Sequence, residues 1–213
     1  MTSETVYEQL RKAIALGRMH PNERLVEADL TERYGVSRAT VRTALVRLEQ
    51  EGLVEHERNR GAKVRLIDED EAVEIYEARA LLEGLAARKA ALNVTDEQAE
   101  ELRSQLAEIR TAIDAGQLME ASEFNMALHD TIVRLAAHGT ASRLLSRLNS
   151  QLVRFQYRTI LHPGRAERSY REHSAVVEAI VRRDPDGAET AMREHLHTLE
   201  GTLAEPIPAR LDD

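Results

Sequence analysis

The 213-residue sequence predicts a mostly α-helical protein in two parts: a small N-terminal helix-turn-helix with a hairpin wing, and a C-terminal antiparallel bundle of about six helices. Three observations carry this. Glycine and proline are sparse at 10 and 5, aromatic residues make up only 3%, and Ala, Leu, Glu and Arg dominate, the composition of packed helices and not of sheets. Apolar residues recur at three- and four-residue spacing within each candidate element. Between them stands one pair of short apolar triplets around a polar tip, the pattern of a small hairpin. The chain is long enough to bury two cores, and the expected division is 1–66, 67–205 and a frayed tail at 206–213.

Val6, Leu10, Ala13 and Ile14 define a first helix of about four turns that ends at Gly17. His20-Pro21-Asn22 is a turn, after which Leu25, Ala28, Leu30 and Tyr34 predict a shorter second helix stopped by Gly35. Ser37 caps a third helix whose buried stripe is Val41, Ala44, Leu45 and Leu48. Gly52-Leu53-Val54 and Ala62-Lys63-Val64 then flank the tip Arg58-Asn59-Arg60-Gly61, a wing.

The third helix carries Arg38 and Arg42 in its first turns, where the helix dipole favours acids. Arg42 lies on the outward side with Ala39, Thr43 and Val46, and Arg38 flanks it. Small neighbours let such a helix approach a surface closely, and an anion there would neutralise both the arginines and the helix start. In a major groove, arginine donates a bidentate pair to guanine, worth roughly 1–3 kcal/mol of discrimination. The assignment is therefore DNA contact by Arg38 and Arg42, phosphate contact by Ser37 and Thr40, and an adjacent groove for Arg58, Arg60 and Gly61 of the wing. A lone arginine on a helix is ordinarily a solvated charge; the ordered set of helix, turn, helix, basic helix and basic wing is what distinguishes this one.

The remainder begins at the acidic junction Ile67-Asp68-Glu69-Asp70 and reads as helices over about 68–93, 95–115, 118–138, 140–161, 167–183 and 185–204. Thr95-Asp96-Glu97-Gln98 is a capping box, Gly139 marks a helix end, and Asp184-Pro185 is a cap followed by proline in the first helical position. Three of the eight histidines fall on apolar faces of three separate helices. His129 shares a face with Phe124, Leu128 and Ile132; His173 with Val176, Val177 and Ile180; His195 with Ala188, Ala191, Met192 and Leu199. Asn125 precedes His129 by four residues and shares its face. Each histidine alone reads as a core residue satisfied by a polar neighbour. Three on inward faces, with an amide oxygen, point to a bound Zn, Ni, Co, Mn or Fe ion rather than Ca or Mg.

The run from Leu10 through Pro21, Leu25 and Leu30 to "GVSRATVRTAL", "EGLV" and "NRGAKV" resembles the winged helix-turn-helix of GntR-type bacterial regulators. Asn22 stands where that family usually has glycine, Ala39-Thr40 replaces the common Thr-Pro, and Thr43, often an acid in relatives, bears on which base is read. The second half is similar to the FCD-type ligand-binding domain of the FadR-like branch. In its metal-binding members an Asp or Asn four residues before a His, the His of an "EH" pair and a late His form the site; here "NMALH", "REH" and "MREH" make these Asn125, His129, His173 and His195. The resemblance also implies that Arg79, in "YEARALLEG", meets the carboxylate of an effector. Arg154 and Arg158, in "QLVRFQYR", are further candidates.

These expectations combine into a cytoplasmic transcriptional regulator. A homodimer would bind a pseudo-palindromic DNA operator as a repressor, released by a small organic acid held at the metal. The absence of cysteine, of a basic leader with an apolar run, and of a membrane-length apolar stretch argues against secretion and membrane contact. Charge supports two kinds of partner: residues 1–66 hold 12 Lys and Arg against 10 Asp and Glu, and the remainder 17 against 27. Two alternatives use the same residues. One is a metal-responsive repressor; the other is a metal-dependent hydrolase, for which Glu172 is the neighbouring base, although it projects from a different side of its helix than His173 and no HExxH spacing occurs.

Overall fold

The computed structural model describes residues 2–15, 18–57 and 61–203, without the side chains of Ala15, Glu57 and residues 153, 154 and 156–158. Gly17, Arg58, Asn59, Arg60 and the tail 206–213 lie outside the described residues, as do the side chains of Arg154 and Arg158. The chain divides into two compact units, Met1–Asp68 with Arg147–Arg154, and Glu69–Ser146 with Phe155–Asp213. A stretch of a late helix groups with the first unit, a tertiary feature without a local sequence signature.

In the first unit α1 (Ser3–Ala15), α2 (Glu27–Tyr34) and α3 (Arg38–Gln50) surround one core. Val6, Leu10 and Ile14 of α1 meet Leu30 of α2 and Val41, Leu45 and Leu48 of α3. Each repeats at helical spacing, and the apolar faces of α1 and α2 both pack against α3. Gly35 takes φ +61° and closes α2, a left-handed conformation that glycine adopts without Cβ strain. Asn22 also sits left-handed, at φ +64°.

Leu25 corrects the expected second helix. It belongs to β1 (Arg24–Leu25), which pairs antiparallel with β3 (Gly61–Val64), itself paired with β2 (Val54–Glu57), in the order β1-β3-β2. Leu25 is buried, as a helical position would also require. With two residues, the strand is too short for an alternation pattern to reveal it.

The second unit holds α4 (Glu69–Asn93), α5 (Asp96–Asp114), α6 (Leu118–Leu135), both ends of α7 (Gly139–Ile160), α8 (Arg165–Val181) and α9 (Pro185–Leu203). Thr95 and Gln98 form the reciprocal capping box, and Asp184 Oδ1 accepts from Gly187 N at 2.9 Å at the start of α9. Gly139 is a second correction, because it opens α7 instead of ending α6. The preceding helix closes at Leu135, the chain turns through Ala137 at φ +50°, and His138 caps α7 by accepting from Ala141 N. A non-glycine left-handed residue carries out the reversal, which is why the only glycine nearby misled. Packing brings α4 chiefly against α9, α9 against α8, and α5 against α6. Alanines 87, 90 and 91 on α4 let backbones approach closely, and the core includes Leu102, Leu128, Ile132, Val176, Ile180 and Met192. No helix of the described residues is long and apolar enough to cross a membrane.

Candidate functional site

The first unit presents α3 with its apolar stripe inward and its arginines outward. Ser37 holds an extended backbone and its Oγ accepts from Thr40 N at 3.2 Å; the two hydroxyl oxygens lie 2.9 Å apart. Both hydroxyls expected on phosphates therefore organise the helix start. Thr43 Oγ1 donates back to Ala39 O at 3.0 Å. Arg38, Ala39, Arg42 and Thr43 form an exposed face. Arg42, 66% exposed, donates through Nε to both carboxylate oxygens of Glu27 on α2, at 2.8 and 2.9 Å. The contact holds the Glu27 carboxyl below its ordinary range. Because Nε makes it, the terminal Nη1–Nη2 edge stays out of the bond, the edge that matches guanine O6 and N7. Gly61 opens β3 and is exposed.

The second unit assembles His129 (α6), His173 (α8) and His195 (α9) in its interior, all at least nine-tenths buried. Ring centroids are 5.0 Å apart for His129 and His173, 5.3 Å for His129 and His195, and 4.3 Å for His173 and His195. One nitrogen from each ring lies within 4.8 Å of the others. The opposite ring edges are tethered: His129 Nδ1 to Glu83 of α4, His195 Nδ1 to Glu172 Oε2 at 2.8 Å, and His173 Nδ1 to Ser169 Oγ at 3.4 Å. Such tethers fix tautomer and ring orientation in metal sites. Burial, then the neighbouring imidazoles, hold His173 and His195 well below the ordinary histidine range, so both rings are neutral and able to ligate. Nε2 of His129 and Nε2 of His173 are 2.9 Å apart. Two ligands about 2.1 Å from one ion at a right angle would be about 3 Å apart. Asn125 Oδ1, one helical turn before His129, is buried with no hydrogen-bond partner. An acceptor left this way normally costs about 1–3 kcal/mol, and a cation is the partner its lone pairs suit. The donor set of three imidazoles and an amide oxygen fits a divalent transition metal.

The groups behind these ligands were not legible as such. Burial opposes the charged form of Glu83, yet Arg79 and His129 hold its carboxyl well below the usual range. Arg79 is 3% exposed and reaches Glu83 Oε1 through Nε and Nη2, both at 2.7 Å. Arg165, at the start of α8 and also 3% exposed, donates through Nη2 to Glu172 Oε2 at 2.9 Å. Two chains of guanidinium, carboxylate and imidazole thus run into the centre: Arg79–Glu83–His129 and Arg165–Glu172–His195. Arg79 was expected at the site; Glu83, Arg165 and Ser169 were missed. The four-residue step from Arg79 to Glu83 and the seven-residue step from Arg165 to Glu172 were available signals. Glu172 does project away from His173, and from there it engages His195. His197 is exposed, bonded to Glu200 and away from the centre.

Known proteins repeat both halves of this architecture. Residues 2–64 match the family described as "Bacterial regulatory proteins, gntR family", and residues 74–198 match the "FCD domain". The HTH-type transcriptional repressor GlaR of Escherichia coli K12 is 30% identical over 216 residues, covering 98% of this chain and 95% of its own length. The HTH-type transcriptional repressor RspR of the same strain is 28% identical over 203 residues, covering 95% and 89%. Among solved structures, E. coli McbR/YncC shares the fold with a TM-score of 0.80 at 20% identity, covering 94% of this chain and 96% of that one.

Proposed function

This chain belongs to the GntR family of bacterial transcriptional regulators, in the branch with an FCD effector-binding domain, and from that premise we propose that it is a repressor released by a small carboxylate metabolite. The proposed division is DNA binding by residues 1–66, effector binding, metal binding and dimerisation by 67–205, and a tail at 206–213. The observation that carries the sensing half is the tethered histidine centre beside the unpartnered Asn125 oxygen.

On the DNA side, Arg38 and the Nη1–Nη2 edge of Arg42 face base edges, with Thr43 beside them on the same exposed surface. Ser37 and Thr40 shape the helix start that meets phosphate, and Arg58, Arg60 and Gly61 follow the neighbouring groove. A homodimer places two such helices on a pseudo-palindromic operator, since one helix reads only a few base pairs.

On the sensing side, Asn125, His129, His173 and His195 would hold a divalent transition metal of the Zn, Ni, Co, Mn or Fe group. Such an ion supplies Lewis-acid coordination for a carboxylate oxygen. Arg79 offers Nη1, the guanidinium nitrogen that Glu83 does not engage, to the same anion, and Arg154 and Arg158 are secondary candidates. A ligand that binds one arrangement of the dimer more tightly than the other shifts operator occupancy by that difference.

The test is a mobility shift on DNA upstream of the protein's own operon. Arg42→Ala should lose sequence preference, while His173→Ala should bind the operator and lose its response to added carboxylates. Equal specific binding by the Arg42 variant would overturn the DNA assignment. An operator affinity that changes with metal alone would replace the carboxylate by the ion as the signal.

A further inference from the structure

The charges around the histidine centre carry more than the presence of a ligand. The four proposed ligands, Asn125, His129, His173 and His195, are all uncharged when they coordinate. The two fully buried guanidiniums, Arg79 and Arg165, are each matched by one carboxylate, Glu83 and Glu172. Glu172 is moreover shared, because its Oε1 also lies 3.2 Å from Arg168 Nε. A divalent ion in this setting brings two positive charges that no carboxylate among the described residues balances, and buried charge without a counter-charge is strongly unfavourable.

The hydrogen-bond inventory makes the same point independently. Arg165 Nε and Arg165 Nη1 are buried donors without partners among the described residues, and Arg79 Nη1 has only the neighbouring buried Tyr76 hydroxyl for company. Arg79 holds Glu83, which holds His129, and Arg165 holds Glu172, which holds His195, so both guanidiniums belong to this centre. A guanidinium presents its donors as a rigid fork that suits a carboxylate. One carboxylate can occupy Arg79, and Arg165 then remains.

We propose that the effector is a dianion, a dicarboxylate with one carboxylate at the metal and Arg79 and the other held by Arg165. This deepens the reading of the previous subsection and rests on it. Arg165 is the residue that separates dicarboxylates from monocarboxylates, and the neutral Asn125 is what leaves both charges of the ion to the ligand.

The experiment is calorimetric titration of the full-length, zinc-loaded protein with matched 2-hydroxy acids: lactate and 2-hydroxybutyrate against malate and 2-hydroxyglutarate. Each pair shares the metal-binding head and differs by the distal carboxylate. At least one diacid should bind ten-fold or more tighter than its monoacid partner. Arg165→Gln should bring that ratio to near one even where zinc or monoacid affinity falls through the loosened Glu172–His195 tether, since both acids of a pair share that loss, and Arg165→Lys should fall between. The ratio is taken within each variant, so a partly unfolded preparation does not mimic the result. A wild-type ratio near one for both pairs, or an Arg165→Gln variant that keeps the wild-type ratio, overturns the dianion while leaving a carboxylate effector standing. Binding of none of the four acids overturns the carboxylate reading itself.

Discussion

Arginine has opposite surroundings in the two units. On α3, Arg42 is 66% exposed and leans on a single acid through one nitrogen. In the bundle, Arg79 and Arg165 are 3% exposed, each locked to a carboxylate that in turn orients a histidine. An exposed ion pair contributes little to stability, so the charge is retained for what it meets outside. A buried pair has already lost its hydration, and each partner is indispensable to the other. The first arrangement suits a polyanion that arrives from solvent, whose affinity falls with salt. The second suits a small anion taken out of water, where fixed donors are worth more.

Removing one acid from each environment tests the contrast at its widest. Glu83→Ala strands Arg79 and the Nδ1 edge of His129 in the interior, and breaking a buried pair on one side costs about 3–5 kcal/mol. Chemical denaturation of metal-free protein should show that loss in the bundle transition; a loss below about 1 kcal/mol would mean that the relay is solvated. The next effect belongs to the exposed side. Arg42→Ala should leave folding unchanged and cost roughly 1–3 kcal/mol of operator preference per half-site, read by competition with unrelated duplex. Glu172→Gln keeps shape and removes the charge behind His195. Loss of such an orienting partner lowers metal affinity about 10- to 100-fold, which a zinc titration measures against unaltered operator binding in the metal-free form.

The two environments were also unequally legible in the sequence. The recognition helix could be read almost entirely, because its determinants are local: Ser37 as cap, Val41, Ala44, Leu45 and Leu48 as stripe, and the arginines on the opposite side. The bundle helices could be read for a similar reason, through the Thr95 capping box and Asp184-Pro185. His129, His173 and His195 were identifiable by their apolar faces. Their tethers were not, since Glu83 and His129 are joined only by the packing of α4 with α6. Polar residues on a helix read as solvated until the neighbour that buries them is known, and Arg79 and Glu83 are cases in point. The strand β1 and the turn through Ala137 escaped notice for a different reason: a two-residue pairing and a single left-handed alanine carry almost no pattern.

Smaller effects sharpen the exposed side of the comparison. Ser37→Ala removes the cap on Thr40 N and should cost about 1 kcal/mol, seen as roughly five-fold faster hydrogen exchange of the α3 amides. The smallest expected change is at Glu27. Because Arg42 and Glu27 meet at the surface, Glu27→Gln should alter stability by well under about 1 kcal/mol, in contrast to Glu83→Ala. Its effect on DNA depends on which Arg42 nitrogens the acid holds. Glu27 engages Nε, so under the proposed reading it steadies the guanidinium and leaves the Nη1–Nη2 edge for a base. Losing that support should lower the ratio of operator to non-specific affinity two- to three-fold, even as removal of a negative charge near phosphate strengthens non-specific binding slightly. Competition mobility shifts at two salt concentrations separate the terms, because only the non-specific one scales with salt through counterion release. A ratio that rises instead would mean that DNA displaces Glu27, making it a competitor for Arg42 and not its support.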